Sequence, residues 1–354
     1  MNTTQLNFNI IFTPNTVKRL LPFVYSLLDW SDCQYQIVCN GCSKEEQQLL
    51  RNFCLKNSRL TYIAASENEI TEHGLVLDWL QSQTESEWFC FLDSDIIATG
   101  PYLSEAMGHL NQYDVFTSGH PLWYAEEDIE LPPSFKRWLG SCFKTTDGKT
   151  LGGTYFAIYN NKKLGQVISE TGVGFRFQRW DEVTKENQDI LESFGLNKFD
   201  YDTGKLLMAL MFAKGINFYS KDLEHIHHLG GFSSLGTDEP AVYYRGWLDK
   251  FACLFLSGHL AWVLLKIADT WYGLTRPAKG MTSSQSKHLS ISERRILQSR
   301  ERKRLNTARY FAKVIQNLVD NQPLPVIPVM GFKKAEDRIL EATSHISKLY
   351  KNLT

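Results

Sequence analysis

The run Phe89-Cys90-Phe91-Leu92-Asp93-Ser94-Asp95-Ile96-Ile97 decides how the rest of the chain is read. Trp88 to Leu92 is continuously apolar, the pattern of a strand covered on both faces. It delivers two carboxylates, one residue apart, to its C-terminal end. In open α/β sheets that edge is where ligands bind. Two adjacent carboxylates repel unless a cation neutralises them. Hard Mg²⁺ or Mn²⁺ favours oxygen ligands of this kind, shared with substrate phosphates. The plainer reading is that one Asp caps the following turn and the other is solvated.

Working outward, the first 100 residues alternate strand-like and helix-like pieces. Leu6 to Phe12 reads as a strand ending at Thr13-Pro14-Asn15, and Lys18 to Leu28 carries apolar residues at helical spacing. Gln34 to Cys39 is a β-rich run stopped by Asn40-Gly41. Ser43-Lys44-Glu45-Glu46 has the form of a capping box opening a helix to about Lys56. Leu60 to Ala64 reads as a strand and Thr71 to Gln81 as a helix. This alternation predicts an α/β fold, a Rossmann-type, mostly parallel sheet with helices on both faces.

The middle of the chain is less regular. Asp114 to Ser118 and Tyr155 to Tyr159 read as strands, and residues 120–150, with Pro132-Pro133, as a long functional loop. Residues 172–200 are a second irregular stretch, in which Trp180-Asp181-Glu182 reads either as an aromatic beside carboxylates able to stack on and hydrogen-bond a sugar or as an ordinary exposed Trp-Asp pair. Thr203 to Lys214 reads as a helix and Ile216 to Tyr219 as a strand. His225-Ile226-His227-His228 then offers three imidazoles; if extended, His225 and His227 share one face and His228 takes the other.

After residue 236 the pattern turns helical, which predicts a domain at 1–235 and a helical C-terminal extension at 236–354. Phe251 to Leu265 is fifteen residues of mostly apolar sequence. A membrane span needs about 20, so it reads as a buried or interfacial helix. Residues 287–313 hold nine Lys/Arg against two Glu, a local +7 that leaves −8 on the remainder of a chain whose net charge is −1. Leu297, Leu305, Ala308, Phe311, Ile315 and Leu318 make this an amphipathic helix. Its basic residues read first as a solvated face, second as a dock for an anionic membrane surface, and last as a nucleic-acid contact. Pro323 to Pro328 reads as a stiff linker before a short closing helix.

Near-zero net charge disfavours a globally basic nucleic-acid binder. Seven cysteines at 33, 39, 42, 54, 90, 142 and 253, with a polar start unlike a signal peptide, predict a reducing, cytoplasmic setting. Cys39-x-x-Cys42 has no second pair at zinc spacing, which argues against a zinc site.

Taken together, Ile10-Ile11-Phe12-Thr13-Pro14-Asn15, Ile37-Val38-Cys39-Asn40-Gly41-Cys42-Ser43, Phe91-Leu92-Asp93-Ser94-Asp95, Tyr201-Asp202-Thr203-Gly204-Lys205-Leu206 and His228-Leu229-Gly230-Gly231 resemble the GT-A fold glycosyltransferases, family-2-like, over about residues 6–235. The resemblance implies a metal-dependent transferase that moves a sugar from a nucleotide-diphosphate sugar to a saccharide or other hydroxyl. It implies that Thr13, Pro14 and Asn15 line the nucleotide pocket. Asn40 falls where such enzymes usually carry an Asp against base or ribose. Asp93, with Ser94 beside it, lies near ribose and metal, and Asp95 binds the metal. His73, in Glu72-His73-Gly74, falls where related enzymes contact nucleotide or sugar. Asp202 matches the base of inverting members, although Tyr201 replaces the Glu that usually precedes it. The alternative for Asp202 is a helix N-cap, and Asp200 is the substitute base. His228 fits the place of a late metal-binding His, and imidazole suits Mn²⁺ better than Mg²⁺.

Two other classes compete. A nucleotidyltransferase acting on sugar phosphates would usually show a Gly-rich, basic phosphate loop after the first strand, and Thr13-Pro14-Asn15-Thr16 is not one. A non-catalytic carbohydrate-binding or scaffold protein would not need Asp93, Asp95, Asp202 and the His cluster intact.

Overall fold

A computed structural model describes residues 6–118, 121–123, 142–144, 150–152, 155–194, 201–232, 244–277 and 289–353. The chain forms two compact units, residues 1–120 with 136–228, and residues 121–135 with 229–354. Each is described by itself.

The first unit runs β1 (Asn7–Phe12), α1 (Val17–Trp30), β2 (Gln34–Asn40), α2 (Lys44–Cys54), β3 (Leu60–Ser66), α3 (His73–Ser82), β4 (Trp88–Asp93) and β5 (Ile96–Ala98). It continues through α4 (Leu103–Leu110), β6 (Val115–Ser118), a short hairpin of β7 (Cys142–Lys144) and β8 (Thr150–Gly152), β9 (Phe156–Asn160) and α5 (Asn161–Thr171). A 3₁₀ turn (Trp180–Glu182), α6 (Lys185–Ser193), α7 (Lys205–Ala213), β10 (Phe218–Ser220) and β11 (Ile226–His228) complete it. Seven strands form one sheet in the order β10-β6-β9-β4-β1-β2-β3. β9 is antiparallel to both β4 and β6, and the other pairs are parallel. The expected α/β architecture is therefore present, with one reversed strand that apolar pattern alone does not disclose.

Burial explains the sheet's composition. Every residue from Trp88 to Leu92 is buried, so alternate side chains serve opposite faces. Phe89 and Phe91 both pack on Phe175, with ring centroids 5.8 and 5.7 Å away. α7 (KLLMALMFA) is buried from Lys205 to Met211, which makes it an interior helix rather than an amphipathic one. Sheet register also sets the site. Ile11 stands opposite both Asp93 and Val38, and Phe12 opposite Cys39. The ends of β1, β2 and β4 are thus level, and Thr13–Asn15, Asn40–Ser43 and Asp93–Asp95 leave the sheet at one edge.

The second unit contains α8 (Trp247–Phe255), α9 (Gly258–Thr275), α10 (Ile291–Val319) and α11 (Lys333–Leu353). Phe251 to Leu265 is not one helix: Leu256 and Ser257 are extended and separate α8 from α9. α10 opens on a Ser290/Glu293 capping box. Its basic residues are not simply a solvated face, since Arg300, Arg302 and Lys303 are buried. The closing helix has 21 residues and is not short. No described helix is long and apolar enough to cross a membrane.

One buried network links three of the second unit's helical segments. Arg245 donates to both carboxylate oxygens of Asp249, at 2.8 and 2.7 Å, and lies 2.6 Å from Asp269. Arg302 approaches Asp269 from α10 at 3.2 Å. Two guanidinium groups thus meet two carboxylates, and the network is neutral. Burial alone would raise the Asp269 carboxyl, but the charges of Arg302 and Arg245 outweigh it and hold the group below its ordinary value.

Candidate metal and nucleotide site

Asp93 is the last residue of β4, and two positions later Asp95 directly precedes β5. β11 runs antiparallel to β5 and places His228 opposite Ile96, so a residue 133 positions further along the chain arrives beside the Asp-x-Asp turn. His228 Nε2 lies 3.2 Å from Asp95 Oδ1 and 3.5 Å from Asp93 Oδ2. One ligand atom from each of the three residues falls within 4.8 Å of the others. The imidazole is buried, with 3% of its side chain exposed, and Asp93 at 25% is the most open of the three. The cluster is therefore walled on one side and accessible on the Asp93 side.

The electrostatics follow from this placement. Burial alone would lower the His228 pKa, but the charges and hydrogen bonds of Asp95 and Asp93 reverse that effect and raise it to about 10. The field that holds a proton on this imidazole is the field that would hold a divalent cation. Two carboxylate oxygens and an imidazole nitrogen form a donor set compatible with Mn²⁺ or Mg²⁺, the nitrogen leaning it toward Mn²⁺. Tyr155 supports the arrangement: its ring lies 4.3 Å from that of His228, and its carbonyl accepts from Asp93 N–H at 2.7 Å.

The other imidazoles of the cluster are employed elsewhere. His227 turns to the Thr99 hydroxyl, 3.2 Å away, and the His225 ring packs so closely on Gly100 that a Cβ there would sit 2.8 Å from it. The alternation expected of an extended segment separates His227 from His228, as observed.

The loops around the cluster are laced together by side chains. Asn15 adopts a positive φ of 66°, a conformation Asn tolerates better than most residues, and its N–H donates to Glu46 Oε1 at 2.8 Å. Glu46 Oε2 accepts from Ser43 N–H at 3.1 Å. A single carboxylate thereby ties the loop after β1 to the start of α2. Thr13 and Pro14 are half-buried in the same loop, where the Thr13 carbonyl accepts from the Thr16 hydroxyl at 2.7 Å. Asn40 is buried and uses both ends of its amide on Thr71: it donates to the carbonyl and accepts from the N–H, each at 2.9 Å. Gly41 has φ +73°, and a Cβ there would lie 2.6 Å from Ile70 N, so this turn admits no side chain.

His73 is exposed at the start of α3, behind Glu72, whose carboxylate accepts from Phe177 N–H at 2.9 Å. Ser94 is half-buried between the two aspartates. Asp202 is exposed, and its carboxylate accepts from Thr203 N–H at 2.8 Å. The residue capping α7 is Gly204, at φ 74°, so Asp202 stands before the helix rather than at its cap. Asp200 lies outside the described residues. Sequence reading missed the contributions of Tyr155, Glu46 and Thr71. Only Glu46, as the fourth residue of the Ser43 capping box, left a local signal.

No family model matches the sequence, and no curated protein matches it. Among solved structures the chain is similar to glycosyltransferases. The galactosyltransferase LgtC, in complex with donor and acceptor sugar analogs, is 11% identical over 60% of this chain and 73% of that one, with a TM-score of 0.37. The mannosyltransferase PcManGT from Pyrobaculum calidifontis, in complex with GDP-Man and Mn²⁺, is 10% identical over 98% of this chain and 82% of that one, with a TM-score of 0.36. TarS 1–349 from S. aureus is 12% identical over 96% of this chain and 92% of that one, with a TM-score of 0.39. Likenesses this low carry no functional weight by themselves.

Proposed function

We propose that the chain is a metal-dependent glycosyltransferase that moves a sugar from a nucleotide-diphosphate sugar to an acceptor hydroxyl. The observation that carries the reading is the Asp93–Asp95–His228 cluster at the C-terminal edge of the parallel strands. Asp93, Asp95 and His228 would hold the metal, which when bound supplies positive charge against the diphosphate leaving group. Thr13, Pro14, Asn15, Asn40, His73 and Ser94 would frame the nucleotide. Asn40 would act chiefly by fixing the β2 turn against Thr71, since both ends of its amide are engaged there.

Asp202 would take the proton of the acceptor hydroxyl as that oxygen attacks the anomeric carbon. The new glycosidic bond forms as the bond from anomeric carbon to diphosphate oxygen breaks, and the nucleoside diphosphate departs. The Asp202 carboxylate accepts from Thr203 N–H, a bond that would fix its orientation for such a role. This assignment describes an inverting reaction.

A thermal-shift panel of nucleoside diphosphates and sugar nucleotides, with and without Mn²⁺, tests the reading. A Mn²⁺-dependent rise in melting temperature with one nucleotide, lost in Asp95→Ala, is expected, together with metal-dependent cleavage of the matching sugar nucleotide. No shift with any nucleotide would overturn it and favour a scaffold. Pyrophosphate release from a nucleoside triphosphate would favour a nucleotidyltransferase instead.

A further inference from the structure

The second unit exposes a feature that sugar transfer does not require. On α8, Trp247, Phe251, Leu254 and Phe255 are all exposed, at spacings of four, three and one residues. On α9, Leu260, Val263, Ile267, Trp271 and Leu274 are exposed at spacings of three and four. Each set is one helical stripe rather than a scatter of single groups, with Trp247 73% and Phe255 71% exposed. The opposite stripe of α9, with Ala261, Leu265, Ala268 and Tyr272, is buried. The longer helix is therefore apolar on its outward as well as its inward side.

Charge on the same segment is one-sided. Between residues 244 and 277 the carboxylates are Asp249 and Asp269, and both are buried in the Arg245/Arg302 network. The charged groups left toward solvent, Lys250, Lys266 and Arg276, are all cationic. Lys266 extends across Trp262, its Nζ 3.9 Å from the ring centroid, an apolar stem with a charged tip.

We infer that the outer face of α8 and α9 docks on the surface of an anionic lipid bilayer. Apolar and Trp-bearing stripes enter the boundary between headgroups and acyl chains, while the flanking cations meet anionic headgroups. Helices of 9 and 18 residues, the longer one without the apolarity of a span, would lie in the plane of the surface. A second copy of the chain fits less well, because a two-fold contact through this face would bring the same cations together with no exposed carboxylate among the described residues 244–277 to meet them. The basic helix α10 is not the contact, since its central cations are buried. The inference stands apart from the transferase reading, because none of these residues belongs to the Asp93 cluster.

Flotation of the full chain with vesicles of phosphatidylcholine, alone or mixed with phosphatidylglycerol, tests it. The wild type should float with the anionic vesicles and less with the neutral ones. Phe251→Ser with Phe255→Ser should weaken partitioning by roughly a hundredfold, and Lys250→Glu with Lys266→Glu by at least about 25-fold. All four positions are off the buried face, so melting temperatures should hold and certify folding. Failure of the wild type to float with either vesicle, or flotation of both folded variants like the wild type, would overturn the inference. So would sedimentation showing a wild-type dimer that the Phe251/Phe255 variant splits, which would assign the face to a second copy.

Discussion

Two clusters of acids and bases among the described residues differ in whether their charges close. In the second unit, Arg245 and Arg302 face Asp249 and Asp269, two positive groups against two negative, with additional hydrogen bonds to main chain. In the first, Asp93 and Asp95 lie against His228, and in this cluster of described residues two carboxylates meet one imidazole, which even when protonated offsets only one of them. A cluster that neutralises itself has no use for a ligand, while one with surplus carboxylate at a sheet edge calls for a cation. Burial and ionic residues mark both; the charge balance separates structure from chemistry.

Substitution at the open cluster should have the strongest effect. Asp95→Ala should reduce metal-dependent transfer by about 10³-fold, about 4 kcal/mol, with little loss of stability, because it also relieves carboxylate repulsion. A variant that keeps activity, or that unfolds, would make this cluster structural. At the closed cluster the effects should reverse. Asp269→Ala leaves two buried guanidinium groups short of a partner and should cost about 3 kcal/mol of stability, read as a lowered melting temperature or denaturant midpoint. The metal-dependent shift should survive in whatever fraction remains folded.

Adding Mn²⁺ sharpens the contrast further. At a hundredfold excess over its Kd it should stabilise the wild type by about 2.7 kcal/mol and leave Asp95→Ala unmoved. Equal shifts in both proteins would place the ion elsewhere. The smallest effect is a pH dependence. Asp269 is held below its ordinary value when folded, so its contribution is complete above the unfolded value near ~4 and fades as pH falls from there toward the folded value. The stability gap between wild type and Asp269→Asn should therefore narrow in acid below about pH 4, followed by denaturant titration at each pH. A gap that widens in acid would mean that folding raises the Asp269 carboxyl instead of lowering it.

The sequence was most legible where information is local. Strand β4 showed itself through its unbroken apolar run, α2 through its capping box, and Asp93 and Asp95 through their place after a buried strand. His228 was legible as a member of a cluster and chosen by the resemblance, while its position beside Asp95 depends on β11 pairing with β5 across more than a hundred residues. Helices α5 and α6 were missed although each has a side-chain N-cap, Asn160 accepting from Lys163 N–H and Thr184 from Asn187 N–H. Their caps were readable, but their short amphipathic runs were not strong enough to stand out from an irregular stretch. The reversal of β9 and the burial of Arg302 had no local signature. One depends on how the connection returns, and the other on Asp269, 33 residues earlier.

Glu46 has a consequence beyond the bonds it accepts. Because the same carboxylate receives the Asn15 and Ser43 amides, and Asn40 grips Thr71 on both sides, the loops that follow three neighbouring strands are coupled before any ligand arrives. A guest at this edge would meet a frame whose ordering entropy was already spent during folding, so more of its contact energy would survive as affinity.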